Sequence, residues 1–171
     1  MPASQPAPAT EAFAGPALLR DWLLLGGLTV PGRPEHVRDA RRFVARAIGD
    51  DCSRSDTALL LASELVTNAV LHSKSRLPGG KVTIVVARQP DDVLVVVADD
   101  GANCRVPVLR AVPHDDGLLT ETGNGLLLVA SLADGWGYRH DANCTTVWFR
   151  LCSGFGARPA LARWRGRLLV D

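Results

Sequence analysis

The chain has 171 residues, of which 47% are hydrophobic and 22% charged, so it is long enough for one globular domain with a substantial core. Nineteen basic against eighteen acidic residues give a net charge of +1, which removes any strong electrostatic case for nucleic acid or an anionic membrane as the main partner. The four cysteines form no CxxC pair, and the first residues lack the basic start of a secretion signal, so free thiols in a reducing cytoplasm are expected.

The first half of the chain predicts a tail, a strand and two helices. Residues 1–15 are rich in Pro and Ala and predict a disordered tail, whereas residues 22–30 are typical of a strand. A proline opens a stretch over 34–48 in which apolar residues recur at helical spacing. A second helix is predicted over 55–72, because Ser and Asp at its start are good N-terminal caps.

The second half predicts two hairpins separated by an irregular segment and a helix. Strands rich in Val and Ile over 81–87 and 93–98 predict a β-hairpin. Residues 101–123 show no sustained period and predict a lid over a site, whereas residues 125–133 return to helical spacing. The stretch 136–151 then predicts a closing hairpin around a turn at its middle.

This order of elements predicts the α/β class. We expect a two-layer α/β sandwich with a mixed, mainly antiparallel sheet and helices on one face, because the regular β-α-β alternation of a doubly wound sheet is absent. The predicted domain covers residues 16–153, and an Arg-rich C-terminal extension covers 154–171.

Glu64 and Asn68 stand four residues apart on the second helix and therefore share a face. A carboxylate and an amide oxygen one turn apart suit Mg²⁺, which takes few protein oxygens and keeps water and phosphate as its other ligands. Glu64 could also activate a hydroxyl or water nucleophile. An exposed polar stripe on an amphipathic helix would look the same at this stage.

Two glycine-containing stretches complete the set of candidate residues. Asp99 ends a run of apolar strand residues and is followed by Gly101; it is either a buried acceptor for a donor such as the amine of adenine, or a plain turn residue. Gly123 and Gly125 precede a predicted helix that begins near Leu126. Such a turn either presents free N–H groups to phosphate or is simply flexible.

Taken in order, four stretches resemble the motifs of the Bergerat ATPases. These are residues 64–72 (ELVTNAVLH), 99–103 (DDGAN), 123–129 (GNGLLLV) and 146–149 (TVWF). They are similar to the N box, the first and second glycine boxes and the final strand of that superfamily, which includes DNA gyrase and histidine kinases. Within it, the short chain is most similar to the serine/threonine kinases that act as bacterial anti-sigma factors.

The resemblance implies roles for the helix and strand residues. Asn68 would hold Mg²⁺ between the phosphates of ATP, and Glu64 would activate the attacking hydroxyl of the substrate. Asp99 would accept a hydrogen bond from adenine, with Gly101 packed beside the base. Thr146 matches a strand residue that supports the adenine contact in related folds.

The resemblance also covers the phosphate end of the site, with one departure. Gly123, Gly125 and Leu126 would bring the start of the following helix to the phosphates of ATP. The first glycine box usually reads DxGxG, whereas its last position here is Asn103.

The function implied is an ATP-dependent protein serine/threonine kinase in a partner switch. It would act in the cytoplasm, bind a sigma factor or similar client, and phosphorylate an anti-sigma-factor antagonist. A homodimer is possible, for which an exposed apolar patch on the first helix would serve. The alternative, motivated by Asn103, is an ATP-responsive protein-binding module with little catalytic activity.

Overall fold

The computed structural model of the protein describes residues 19, 21–50, 52–101, 125–140 and 143–152. In chain order, its elements are β1 (Leu23–Pro31), α1 (Val37–Ile48), α2 (Ser55–His72), β2 (Lys81–Gln89), β3 (Asp92–Asp99), α3 (Gly125–Leu132), β4 (Gly135–His140) and β5 (Thr145–Cys152). Two short 3-10 turns precede α1 and follow α2.

The elements agree with those that the sequence predicts, and their ends differ by a few residues at most. The predicted tail, the predicted lid beyond Gly101 and the C-terminal extension lie outside the described residues, as does Gly123. The boundaries of the domain therefore stay predictions.

The five strands form one sheet in the order β1-β2-β3-β5-β4. Each of the four pairings is antiparallel. The predicted two-layer α/β sandwich with a mainly antiparallel sheet is thereby confirmed. β3 is the central strand, and the residues at its end are flanked by β2 on one side and by β5 on the other.

The main core lies between the helices and one face of the sheet. It takes alternate residues of the strands, such as Val82, Val95 and Phe149, together with buried residues of all three helices. β3 is buried on both faces, because its intervening residues Leu94 and Val96 pack in a second cluster on the other side. Burial on both faces explains why the sequence of this strand is an uninterrupted apolar run.

The second cluster centres on Trp148, which packs with residues of β3 on the face opposite the helices. A Cβ at Gly137 would lie 2.8 Å from the Trp148 ring, so the indole needs glycine at this position of β4. Leu19 and Trp22 also pack here, which places the start of the described chain against the outer face of the sheet.

The exposed surface of α1 is charged. Its arginines and Asp39 face the solvent, and the large hydrophobic side chains that are exposed in the described part of the chain belong to other segments. The expected apolar patch on the first helix is therefore wrong. None of the helices in the described ranges is sufficiently long and apolar to span a bilayer.

Replacing Leu61 with Ala tests the packing of α2 against the sheet. Leu61 is 0% exposed, whereas its neighbour Leu60 is 42% exposed. We expect Leu61→Ala to lower the free energy of unfolding by about 2–5 kcal/mol through lost burial and a cavity. The matched control Leu60→Ala should change it by less than about 0.5 kcal/mol. Urea unfolding measures both, and equal effects would contradict this packing.

Candidate functional site

The start of α3 packs directly onto the polar face of α2. Glu64 and Asn68 are both partly exposed there. A Cβ at Gly125 would lie 2.8 Å from Asn68 Nδ2 and 3.0 Å from Glu64 Oε2, distances at which the neighbouring side chains would have to move. Glycine thus allows the first turn of α3, whose N–H groups have no partners within the helix, to approach the carboxylate and the amide.

The other end of α3 is fixed by polar contacts. Arg54, at the start of α2, donates through Nη2 to the carbonyl oxygen of Leu132 at 2.6 Å and forms an ion pair with Asp134. Asp134 Oδ2 also accepts from the backbone N–H of Cys152 at 2.8 Å. The C-terminal end of α3 is therefore tied to α2 and β5, whereas its N-terminal end meets the polar face.

Asp99 leaves the end of β3 in a tight turn. Its Oδ1 accepts a hydrogen bond from the backbone N–H of Gly101 at 2.7 Å. Gly101 has a φ of +75°, and a Cβ there would lie 3.1 Å from the backbone nitrogen of Cys144. Glycine is favoured at this position for two reasons: the backbone is in the left-handed region and the neighbouring strand is close.

Burial raises the pKa of Asp99 from 3.8 to about 6. Removal of the carboxylate from water is the largest cause, and the negative charge of Asp100 adds to it. The backbone N–H groups of Gly101 and Thr145, together with the charge of His140, act in the opposite direction and lower this pKa without offsetting the burial. The carboxylate is consequently an acceptor that a further donor would stabilise.

The strand register places Thr145, and not Thr146, beside Asp99. Thr145 pairs with Asp99 and is buried on the helix side of the sheet, whereas Thr146 pairs with Ala98 on the opposite face. On the other side, Thr145 Oγ1 lies 2.8 Å from His140 Nδ1. Successive residues of a strand face opposite ways, so Thr145 is the threonine whose side chain is placed to support a contact at Asp99.

The segment between α2 and β2 makes hydrogen bonds to the turn that follows Asp99. Ser75, which is 1% exposed, accepts through Oγ from the backbone N–H of Asp100 at 2.9 Å. The Oδ2 of Asp100 accepts from the N–H of Lys81 at 2.7 Å, and the carbonyl of Gly101 accepts from the N–H of Lys74 at 2.7 Å. No motif in the sequence singles out these residues, although serines just after a helix commonly bond to the backbone.

The predicted site residues fall into two groups. Glu64, Asn68 and Gly125 meet between α2 and α3, whereas Asp99 and Gly101 form the turn after β3. The side chain of Leu126 packs against the core and so helps to seat the first turn of α3. The N–H of Lys74, just beyond the end of α2, donates to the carbonyl of Gly101, so the β3 turn is bound to the segment that follows α2.

The raised pKa of Asp99 predicts a stability that depends on pH. The folded state binds the proton more tightly than the unfolded state, so the free energy of unfolding falls as pH rises from about 4 to 6. Asp99→Asn removes the carboxyl group and therefore this loss of stability at high pH. At pH 8 we expect it to gain about 1–2 kcal/mol, a figure reduced for solvent screening of a partly exposed group, and to gain little at pH 4.

Thermal unfolding at both pH values measures this gain. The control is Asp91→Asn, because Asp91 is an exposed carboxylate in the β2–β3 turn and is not among the groups that shift the pKa of Asp99. The same gain at pH 4 and pH 8, or the same gain in the control, would contradict the assignment of the penalty to Asp99.

Comparisons with known proteins identify the family. The chain matches the profile of the histidine kinase-like ATPase domain over residues 30–151. A search of curated proteins finds no significant match. A crystal structure of the RsbU and RsbW domains of Rv1364c from Mycobacterium tuberculosis aligns with a TM-score of 0.51 at 21% identity, over 78% of this chain and 34% of that one. This likeness concerns the fold, and the chain spans about a third of that longer protein. Since the family profile covers well over half of the sequence, the chain belongs to the histidine kinase-like ATPase domain family.

Proposed function

We propose that this chain binds ATP and Mg²⁺ between α2, α3 and the Asp99 turn, and transfers the γ-phosphoryl group to a serine or threonine of a partner protein. The observation that carries the proposal is the contact of Gly125 with both Glu64 and Asn68. It brings the start of a helix, a carboxylate and a side-chain amide to one place. Phosphoryl transfer needs little more than such positioning and charge neutralisation.

The base of ATP would lie beside the turn after β3. Asp99 would accept from the exocyclic amine of adenine, a further donor for a carboxylate whose burial its backbone hydrogen bonds do not offset. Gly101 would allow the flat base to approach the backbone. Thr145, the cross-strand neighbour of Asp99, takes the supporting role for which the sequence pointed to Thr146.

The phosphates would lie at the other group of residues. The amide oxygen of Asn68 and phosphate oxygens suit Mg²⁺, which when bound neutralises phosphate charge. The N–H groups at the start of α3 would donate to phosphate oxygens, an arrangement common at helix N-termini. Gly123 is proposed to continue this contact on the N-terminal side of the helix.

Glu64 would act as the base in transfer. Its carboxylate would take the proton of the substrate hydroxyl as that oxygen bonds to the γ-phosphorus, and the bond from phosphorus to the leaving oxygen of ADP would break. The proximity of Glu64 to Gly125 supports this role, because it sets the base beside the proposed phosphate contact.

The proposed setting is a partner switch in the cytoplasm. The client would be a sigma factor or a similar protein, the phosphorylated partner would be its antagonist, and the chain would act as a monomer or homodimer. The RsbW domain named in the structural neighbour supports this choice of setting. The second candidate is an ATP-responsive binding module without useful transfer, favoured by Asn103 where the motif usually has glycine.

Calorimetric titration of ATP, with and without Mg²⁺, tests nucleotide binding. We expect the native chain to bind and Asp99→Asn to weaken binding about 10–100-fold, because a hydrogen bond to a charged acceptor is lost. Asn68→Ala should remove the dependence on Mg²⁺. The matched control is Asp91→Asn, which changes an exposed carboxylate in the β2–β3 turn and should bind as the native chain does. A native chain that ignores ATP would overturn the proposal.

Replacing Glu64 separates transfer from binding. Glu64→Ala should keep ATP affinity within about threefold and slow transfer by about 10²–10⁴-fold, since a positioned base contributes that much. Transfer is followed as γ-phosphate label on serine or threonine of a co-purified partner, and Glu35→Ala at an exposed site is the control. A native rate in Glu64→Ala would rule out this role for Glu64. Tight ATP binding by the native chain with no label would favour the binding module.

A further inference from the structure

A histidine of β4, His140, lies next to Thr145, which in turn lies next to Asp99 on the neighbouring strands. His140 pairs with Thr145, and Thr145 pairs with Asp99, so the three residues share one face of adjacent strands. The Nδ1 of His140 lies 2.8 Å from Thr145 Oγ1. Thr145 is only 5% exposed, so its hydroxyl depends on protein neighbours, or on a bound molecule, for its hydrogen bonds. The proposed transfer reaction gives His140 no role.

The chemistry of the hydroxyl decides how these three residues are arranged. A threonine hydroxyl has one proton to donate and lone pairs that accept, whereas the ionised carboxylate of Asp99 only accepts. If Thr145 donated to His140, its lone pairs would face the carboxylate and the two would repel. If Nδ1 carries a proton and donates to Thr145, the hydroxyl proton stays available on the side of Asp99. The second arrangement leaves the hydroxyl proton free for a molecule that binds beside Asp99.

A second observation places His140 close to the carboxylate of Asp99. The charge of His140 is among the influences that lower the pKa of Asp99, so the histidine is near enough to act on the carboxylate. Asp100 acts in the opposite direction from the turn itself.

We infer that His140 is a positioning residue that fixes the hydroxyl of Thr145 as a donor toward the bound base, and thereby sets the preference for adenine. The inference rests on the proposed function, because it needs a base beside Asp99. Adenine presents an amine at position 6 and a lone pair at N1, which match a carboxylate acceptor and a hydroxyl donor. Hypoxanthine presents a carbonyl at position 6 and an N1–H, so acceptor would face acceptor and donor would face donor.

The experiment compares the dissociation constants of ATP and inosine triphosphate by calorimetric titration at pH 8. His140→Leu should weaken ATP about 3–10-fold, the worth of one hydrogen bond, and leave inosine triphosphate almost unchanged. Thr145→Val replaces the hydroxyl with a methyl group at nearly the same shape. It should reduce the preference for ATP over inosine triphosphate by the same factor. His140→Asn should restore it, because its amide places an N–H near the position of Nδ1. His36→Leu, in the short turn that precedes α1, is the matched control.

The double variant His140→Leu with Thr145→Val distinguishes the proposed mechanism from two independent effects. If His140 acts through Thr145, the double variant should show the preference of either single variant and no further loss. An unchanged preference in His140→Leu, or losses that add in the double variant, would overturn the inference. If His140→Leu does not fold, an unchanged preference in Thr145→Val overturns it equally.

These results are separable from those that test the proposed function. A native chain that binds no ATP overturns both. A native chain that binds ATP through Asp99, combined with a native ratio of ATP to inosine triphosphate affinity in the His140 and Thr145 variants, overturns the role of His140 alone.

Discussion

The carboxylate of Asp99 is held at the end of β3, a strand that is buried on both faces, and burial is the largest influence on its pKa. An ionised carboxylate that is removed from water costs free energy, and several neighbouring residues reduce that cost. Gly101 turns the backbone so that its N–H reaches the carboxylate, which requires a positive φ. The hydroxyl of Ser75 accepts from the N–H of Asp100, and the backbone N–H of Thr145 on β5 donates to the carboxylate of Asp99. The cost that remains is what a ligand with a donor group can relieve.

The second constraint is the close approach of α3 to α2. Because Gly125 has no Cβ, the first turn of α3 reaches the side chains of Glu64 and Asn68. Arg54 and Asp134 tie the opposite end of the same short helix to its neighbours. Because α3 is fixed at its C-terminal end and lies beside polar side chains of α2 at its N-terminal end, it can present its first turn to phosphate while its other end stays in the core. This division explains why α3 carries both a core residue, Val129, and the glycine of the site.

The sequence predicts the elements of this fold well because their periods are unambiguous. The apolar run of β3 indicates a strand buried on both faces, and the helical spacing over 55–72 matches α2. It does not predict the partner of Asp99, because a shift of one residue in register moves every side chain of a strand to the other face. That is why Thr146 is the residue suggested by the motif, whereas Thr145 is the one that the register places beside Asp99. The same holds for His140, whose neighbour is set by the pairing of β4 with β5 and by no local pattern.

The energetic cost identified in this fold lies at the turn after β3, in one of the two groups of site residues. The desolvated carboxylate of Asp99 reduces the stability of the unliganded domain above its pKa, while the strands behind it are packed to near-zero exposure. Departures from local preference of this kind cluster at functional sites, where the rest of the fold compensates for them. A nucleotide would bridge the turn after β3 and the start of α3. Its binding would therefore stabilise the domain, because it adds a further donor for the carboxylate of Asp99 and an anion at the start of α3.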